Sequence, residues 1–167
     1  MQYLKNLTIT IAALPVFAAS VLAQGNWIVD SRGAAGPIAQ VALENSSTKR
    51  RTSFIAFEYA RKCDPVFSFA EITGQRLGSP IGQSVLIGTK IGVVVNGKFH
   101  TWHAATTKYD NGYEAGFGVT NELFNSLTGK VSSLSYVTPD GEQIAMPTSG
   151  FTQAVKSAFE ICAKRFK

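Results

Sequence analysis

The chain is poor in cysteine, histidine, methionine and tryptophan, with two of each among its 167 residues. A structural metal centre takes four ligands, so a pair of cysteines does not supply one. Charge is also sparse. Only 16% of residues are Asp, Glu, Lys or Arg, which argues against a disordered chain and for a well-filled core. After residue 23 no stretch stays apolar for the ~18 residues that mark a membrane-spanning helix, so no transmembrane span is expected there. There is no Gly-x-Ser-x-Gly elbow, phosphate loop or dinucleotide fingerprint. There is also no helix-turn-helix, zinc-finger or RNA-binding signature. Neither a cofactor nor a nucleic-acid partner is therefore expected, and the chain is read as non-enzymatic.

What is present begins at the N-terminus. Residues 1–6 carry one positive charge, Lys5, and no acid; Leu7 to Ala18 is an apolar run; Val21-Leu22-Ala23 has the features of a cleavage site. That order is the order of a secretory signal peptide. The expectation is a signal peptide over 1–23, a mature start at Gln24 and a periplasmic or secreted protein. No cysteine follows Ala23, which excludes a lipid anchor at a new N-terminal cysteine. Residues 24–167 make one ordinary domain, long enough to bury roughly 68–70% of its unfolded surface. The formal charge is +5, one unit less without Lys5. That excess fits loose attraction to an anionic surface, and equally a solvated basic protein.

Both cysteines, Cys63 and Cys162, lie in the exported part. An even count in an oxidising compartment suggests one disulfide; two separate buried thiols are the alternative. The basic neighbours Arg61 and Lys62 could lower a thiol pKa at Cys63, yet a disulfide remains the better reading. The C-terminal segment has a helical stripe, Phe151, Ala154, Val155, Ala158, Phe159 and Cys162, at steps of three and four. Thr148 or Ser149 can cap it. Upstream, short runs rich in β-branched and aromatic residues read as strands: 27–30, 38–44, 53–59, 66–72, 83–95 (one strand, or two with a break near Gly88), 98–102, 113–119, 131–137 and 143–146. Asn96-Gly97 marks a two-residue hairpin, and Lys108 to Gly112 marks another turn. Thr120 or Asn121 can cap a short helix that ends at Gly129. Lys49-Arg50-Arg51 reads as a basic turn. The expected fold is mainly β, a sandwich or barrel-like domain, with one short helix and a C-terminal helix packed on the sheet.

Few residues invite a chemical role. His100 and His103 differ by an odd number, so a regular strand puts them on opposite faces, and a shared metal is not expected. Asp110, Tyr113 and Glu114 follow on a turn, where carboxylates are normally solvated and titrate ordinarily. His100, Trp102, Tyr109 and Tyr113 form a candidate recognition cluster, since loop aromatics anchor partners; Trp102 in the core is the competing reading.

The C-terminal half carries a pattern of its own. Gly116-Phe117 precedes the short helix, Leu127-Thr128-Gly129-Lys130 leads to a strand, and Asp140-Gly141, Pro147, Gly150-Phe151 and Ala154 follow. With the signal peptide and Gly25-Asn26-Trp27, this resembles the invasion-associated locus B family of bacterial exported proteins. The resemblance implies a small β-rich periplasmic or surface-associated domain, linked to host-cell invasion in some members and without an established catalytic mechanism. The expected function is therefore an exported binding or envelope protein whose partner is an unknown protein or envelope component. An inhibitor or immunity protein against a toxin or wall-degrading enzyme is the alternative. A small enzyme using His100, or Asp110 and Glu114, is a third reading.

Overall fold

The computed structural model describes residues 25–33, 35–74, 76–86, 91–101 and 104–167. The signal-peptide reading of residues 1–23 lies outside them, as do Trp102 and His103. Eleven strands and two helices follow one another as β1 (Ile28–Asp30), β2 (Ile38–Asn45), β3 (Lys49–Phe57), β4 (Pro65–Thr73), β5 (Pro80–Leu86), β6 (Gly92–Val95), β7 (Lys98–Thr101), β8 (Ala104–Tyr109), β9 (Gly112–Gly118), α1 (Asn121–Thr128), β10 (Leu134–Val137), β11 (Gln143–Ala145) and α2 (Phe151–Ala163). They form a seven-stranded sheet ordered β1-β2-β3-β4-β9-β8-β5 and a four-stranded sheet ordered β11-β10-β6-β7. The strand pairs are antiparallel throughout.

Alternation along each strand selects the face that enters the core. In β4, Phe67 and Phe69 point inward with Ile55 and Phe57 of β3 and Phe117 of β9, all at most 1% exposed. Val93, Val95, Leu134 and Tyr136 of the smaller sheet join the same cluster, as do the buried residues of both helices. Phe69 stacks on Tyr136 with ring centroids 4.3 Å apart, which ties one sheet to the other. Each such ring contributes roughly 1.5–3 kcal/mol by leaving water. The expected sandwich with a C-terminal helix on the sheet is therefore the fold.

The helix ends follow local chemistry. Thr120 caps α1 by accepting the Leu123 N–H at 3.2 Å, and Gly129 closes it. At α2 neither Thr148 nor Ser149 caps; the N-cap is Gly150, in the left-handed region with φ 71°. Five of the six stripe residues are buried. Phe159 is the exception at 36% exposed, lying at the rim against Phe57 and Phe124. Trp27 anchors the start of the domain, donating from its indole Nε1 to the Pro147 carbonyl at 2.7 Å and meeting Phe151 edge-on.

Strand pairing decides three sequence expectations. Lys49, Arg50 and Arg51 do not form a turn. They open β3, because Glu71 on the neighbouring strand takes Arg51 at 2.6 Å and Lys49 at 3.0 Å, and opposite charges across strands support pairing. The run over 83–95, read as one strand or as two broken near Gly88, is two strands, β5 and β6, in different sheets. The hairpin at Asn96-Gly97 forms as read, with φ 51° and 81° and pairs Val95–Lys98, Val94–Phe99 and Val93–His100.

Cys63 and Cys162 are joined, and no free cysteine exists among the described residues. The bond fastens the end of α2 to the turn after β3 across a sequence separation of 99. Closing a loop of that length in the unfolded chain is worth up to ~4.7 kcal/mol on the chain-entropy model, and removing a native bridge commonly costs ~2–5 kcal/mol. The double variant Cys63→Ala/Cys162→Ala is expected to lose that much in urea unfolding. A loss under about 1 kcal/mol would show that the bridge is incidental to stability.

Candidate functional site

Among the described residues, the last pair of β8 and β9 is Ala105–Gly116, while β9 continues beside β4 through Phe117 and Gly118. Before residue 102 the chain belongs to the smaller sheet as β7, and after 103 it belongs to the larger sheet as β8. The two sheets therefore part between β7 and the end of β9. A cavity of about 240 Å³ opens in that fork. Lys98, Phe99 and His100 of β7 form one wall; Phe117 and Gly118 form the floor; Thr120, Glu122 and Leu123 at the start of α1 form the other wall. Lys98 is ion-paired and hydrogen-bonded to Glu122, joining the two walls at the rim.

His100 is the distinctive group in this cleft. Its Nε2 is buried and has no hydrogen-bond partner. Burial, and then the charge of Lys98, hold its pKa below the ordinary histidine range, so the imidazole is neutral at pH 7. Buried polar atoms are nearly always paired, and an unpaired ring nitrogen beside an open cavity is a ready hydrogen-bonding group. The rest of the lining offers little for catalysis. Thr120 Oγ1 is engaged as the helix cap, and Glu122 is engaged by Lys98.

The other residues of the expected recognition cluster do not gather here. Tyr109 pairs with Gly112, and Lys108 pairs with Tyr113. Strand alternation therefore sends Tyr109 and Tyr113 to opposite faces of the sheet. Tyr113 packs edge-on against Phe69 in the core, and burial raises its hydroxyl pKa above the ordinary tyrosine range. Tyr109 sits on the far face and hydrogen-bonds Glu114. Trp102 lies outside the described residues. Tyr109 and Tyr113 thus do not share a face, because hairpin alternation separates what the sequence places close together.

Glu114 departs furthest from expectation. It lies within β9, not on a turn, between Ala70 and Thr107 of the neighbouring strands. It is 1% exposed. Burial raises its pKa to about 7, partly offset by the hydrogen bond from Tyr109. The turn itself is only Asp110-Asn111, so the strand begins at Gly112. A side chain at position 112 would meet the Glu71 carbonyl oxygen at 2.1 Å, and glycine is what lets the hairpin close against β4. The signal missed in the sequence was the alternation Gly112, Glu114, Gly116, Gly118, which places the acid on a sheet face of small residues. Glu114 and Phe117 lie on opposite faces of β9, so Glu114 is not a partner for His100.

No family model, curated protein or solved structure matches the chain. The resemblance to the invasion-associated locus B family is therefore withdrawn: its scattered Gly, Pro and Phe positions are turn and core residues that many β domains share. Among the described residues no group of three or more His, Cys, Asp or Glu could hold a metal ion. No described helix is long and apolar enough to cross a membrane.

The buried acid has a consequence for stability against pH. A carboxyl whose folded pKa lies above its unfolded value of 4.5 binds its proton longer in the native state. Stability contributed by the neutral form is complete below about pH 4.5 and is lost as pH rises toward 7, with a total near 3 kcal/mol. Glu114→Gln is expected to flatten this part of the profile and to be the more stable chain at pH 8. Identical pH profiles of urea midpoints for the two proteins would refute the burial of a charge-bearing group at this position.

Proposed function

We propose that this protein is an exported, non-enzymatic binding protein that holds its partner in the cleft between β7 and β9. The observation carrying this reading is the buried, unpaired Nε2 of His100 beside a cavity floored by Phe117 and flanked by Leu123. A few convergent polar groups on an apolar concavity are the ordinary form of a recognition site. The leader-like residues 1–23 support export, and the Cys63–Cys162 bridge is in keeping with an oxidising compartment.

An enzymatic use of His100 would need a nucleophile or an orienting carboxylate within hydrogen-bond reach. Among the described residues the lining has one carboxylate, Glu122, held by Lys98, and one hydroxyl, Thr120, held by the Leu123 N–H. A binding role asks nothing further of these groups. The ion pair closes the rim, and the imidazole supplies one directional contact.

The reading is tested with p-cresol, an apolar ring with one hydroxyl. Titration into the protein at pH 7.5 is expected to shift the His100 ring resonances and the amides of Leu123 and Thr120. His100→Ala is expected to weaken that binding about fivefold to tenfold, as loss of one hydrogen bond of ~1–1.5 kcal/mol implies. Shifts confined to other regions, or none up to millimolar probe, would overturn the cleft as a binding site.

A further inference from the structure

We propose that the cleft takes an extended segment of another polypeptide, which adds a strand to β7 and sets one apolar side chain into the cavity beside His100. This rests on the reading of the cleft as a binding site and names the class of its partner.

The backbone carries the inference. A two-residue turn at Asn96-Gly97 makes Val95–Lys98 a hydrogen-bonded pair, and alternation makes Val93–His100 the next one. Phe99 therefore turns its N–H and C=O away from β6. No strand borders β7 on that side among the described residues. Across the fork, the hairpin at Asp110-Asn111 makes Tyr109–Gly112 a hydrogen-bonded pair, and Thr107–Glu114 and Ala105–Gly116 follow by the same count. Gly118 continues that parity, so it turns its own N–H and C=O toward the β8 side, beyond the last pair formed among the described residues. Among the described residues, the cleft is thus bordered by the main-chain edge of β7 as well as by side chains. Unpaired strand edges are templates for another strand, and strand addition beside a side-chain pocket is an established mode of peptide recognition.

The side chains fit the same occupant. Lys98 and His100 share one side of β7; Phe99 also borders the cavity, but its ring alternates to the other face, over Gly92 and 43% exposed. A strand laid on β7 would alternate in step. One residue would enter the cavity toward Phe117 and Leu123, and its neighbours would lie beside the Phe99 ring, where cross-strand aromatic pairs are favourable. A second copy of this chain is a poorer occupant. Its β7 already directs Lys98 and His100 into its own cleft and brings no apolar side chain to fill the other.

The test is a displayed library of random eight-residue peptides, panned against the full chain. Enriched peptides are expected to alternate apolar and polar residues. A synthetic winner should shift the Phe99 and Gly118 amides, and methylating its backbone nitrogens one at a time should abolish binding at every second position. Phe99→Pro, which removes the outward N–H, is expected to weaken the peptide at least tenfold, and Phe99→Ala less than about threefold. Should the proline variant fail to fold, the methylation series decides alone. No enrichment over an unrelated disulfide-bonded β domain, methylation losses without a period of two, or a dimer whose own β7 edges are paired would overturn the proposal. If p-cresol still shifts His100 while no peptide binds, this inference fails and the cleft remains a binding site; if neither binds, both fail.

Discussion

The stack of Phe69 on Tyr136 is the contact on which the rest of the structure depends. It joins the central strand of the larger sheet to the middle of the smaller one. Around it, Phe67, Phe117, Val93 and Leu134 fill the space between the sheets. With the sheets held together there, and with α2 bound to the turn after β3 by the disulfide, the sandwich has a fixed closed side. The same chain must nevertheless leave one sheet for the other between β7 and β8. A strand that crosses between sheets cannot pair with both neighbours along its whole length, so the sandwich opens where the crossing occurs.

That opening is the origin of the cleft. Its floor is the end of β9, paired to β4 and beyond the last β8 pair among the described residues. Its walls are β7 and the capped start of α1. The Lys98–Glu122 ion pair bridges the rim and is well exposed on both sides; such exposed pairs contribute little to stability. The pair is better understood as a closure that leaves the apolar interior and His100 as the groups that meet a partner. On the proposed reading, binding follows from topology: His100, with its unpaired Nε2, stands at the edge strand beside the cavity.

Much of the fold was legible in the sequence. Asn96-Gly97 gave the hairpin and its register, and the spacing of Phe151, Ala154, Val155, Ala158 and Cys162 gave the buried side of α2. Gly129 gave the end of α1. The failures share a cause, which is pairing between distant segments. Lys49, Arg50 and Arg51 look like a solvated turn until Glu71 arrives from β4. Glu114 looks solvated beside Asn111-Gly112 until β4 and β8 close on either side of it. The site was half legible: His100 was singled out for its chemistry, but its neighbours Leu123 and Phe117 are ordinary core letters whose role depends on where β8 stops. Tyr109 and Tyr113, adjacent to the same hairpin, were grouped by proximity in sequence and are separated by strand alternation.

Amide hydrogen exchange across β7 addresses the open fork most directly. The structure predicts that the His100 amide, bonded to β6, exchanges slowly, while the Phe99 amide, turned toward the cleft, exchanges at least a hundredfold faster under the same native conditions. Equal protection of the two amides would mean that the edge is already paired, and would contradict a cleft that is open to a partner.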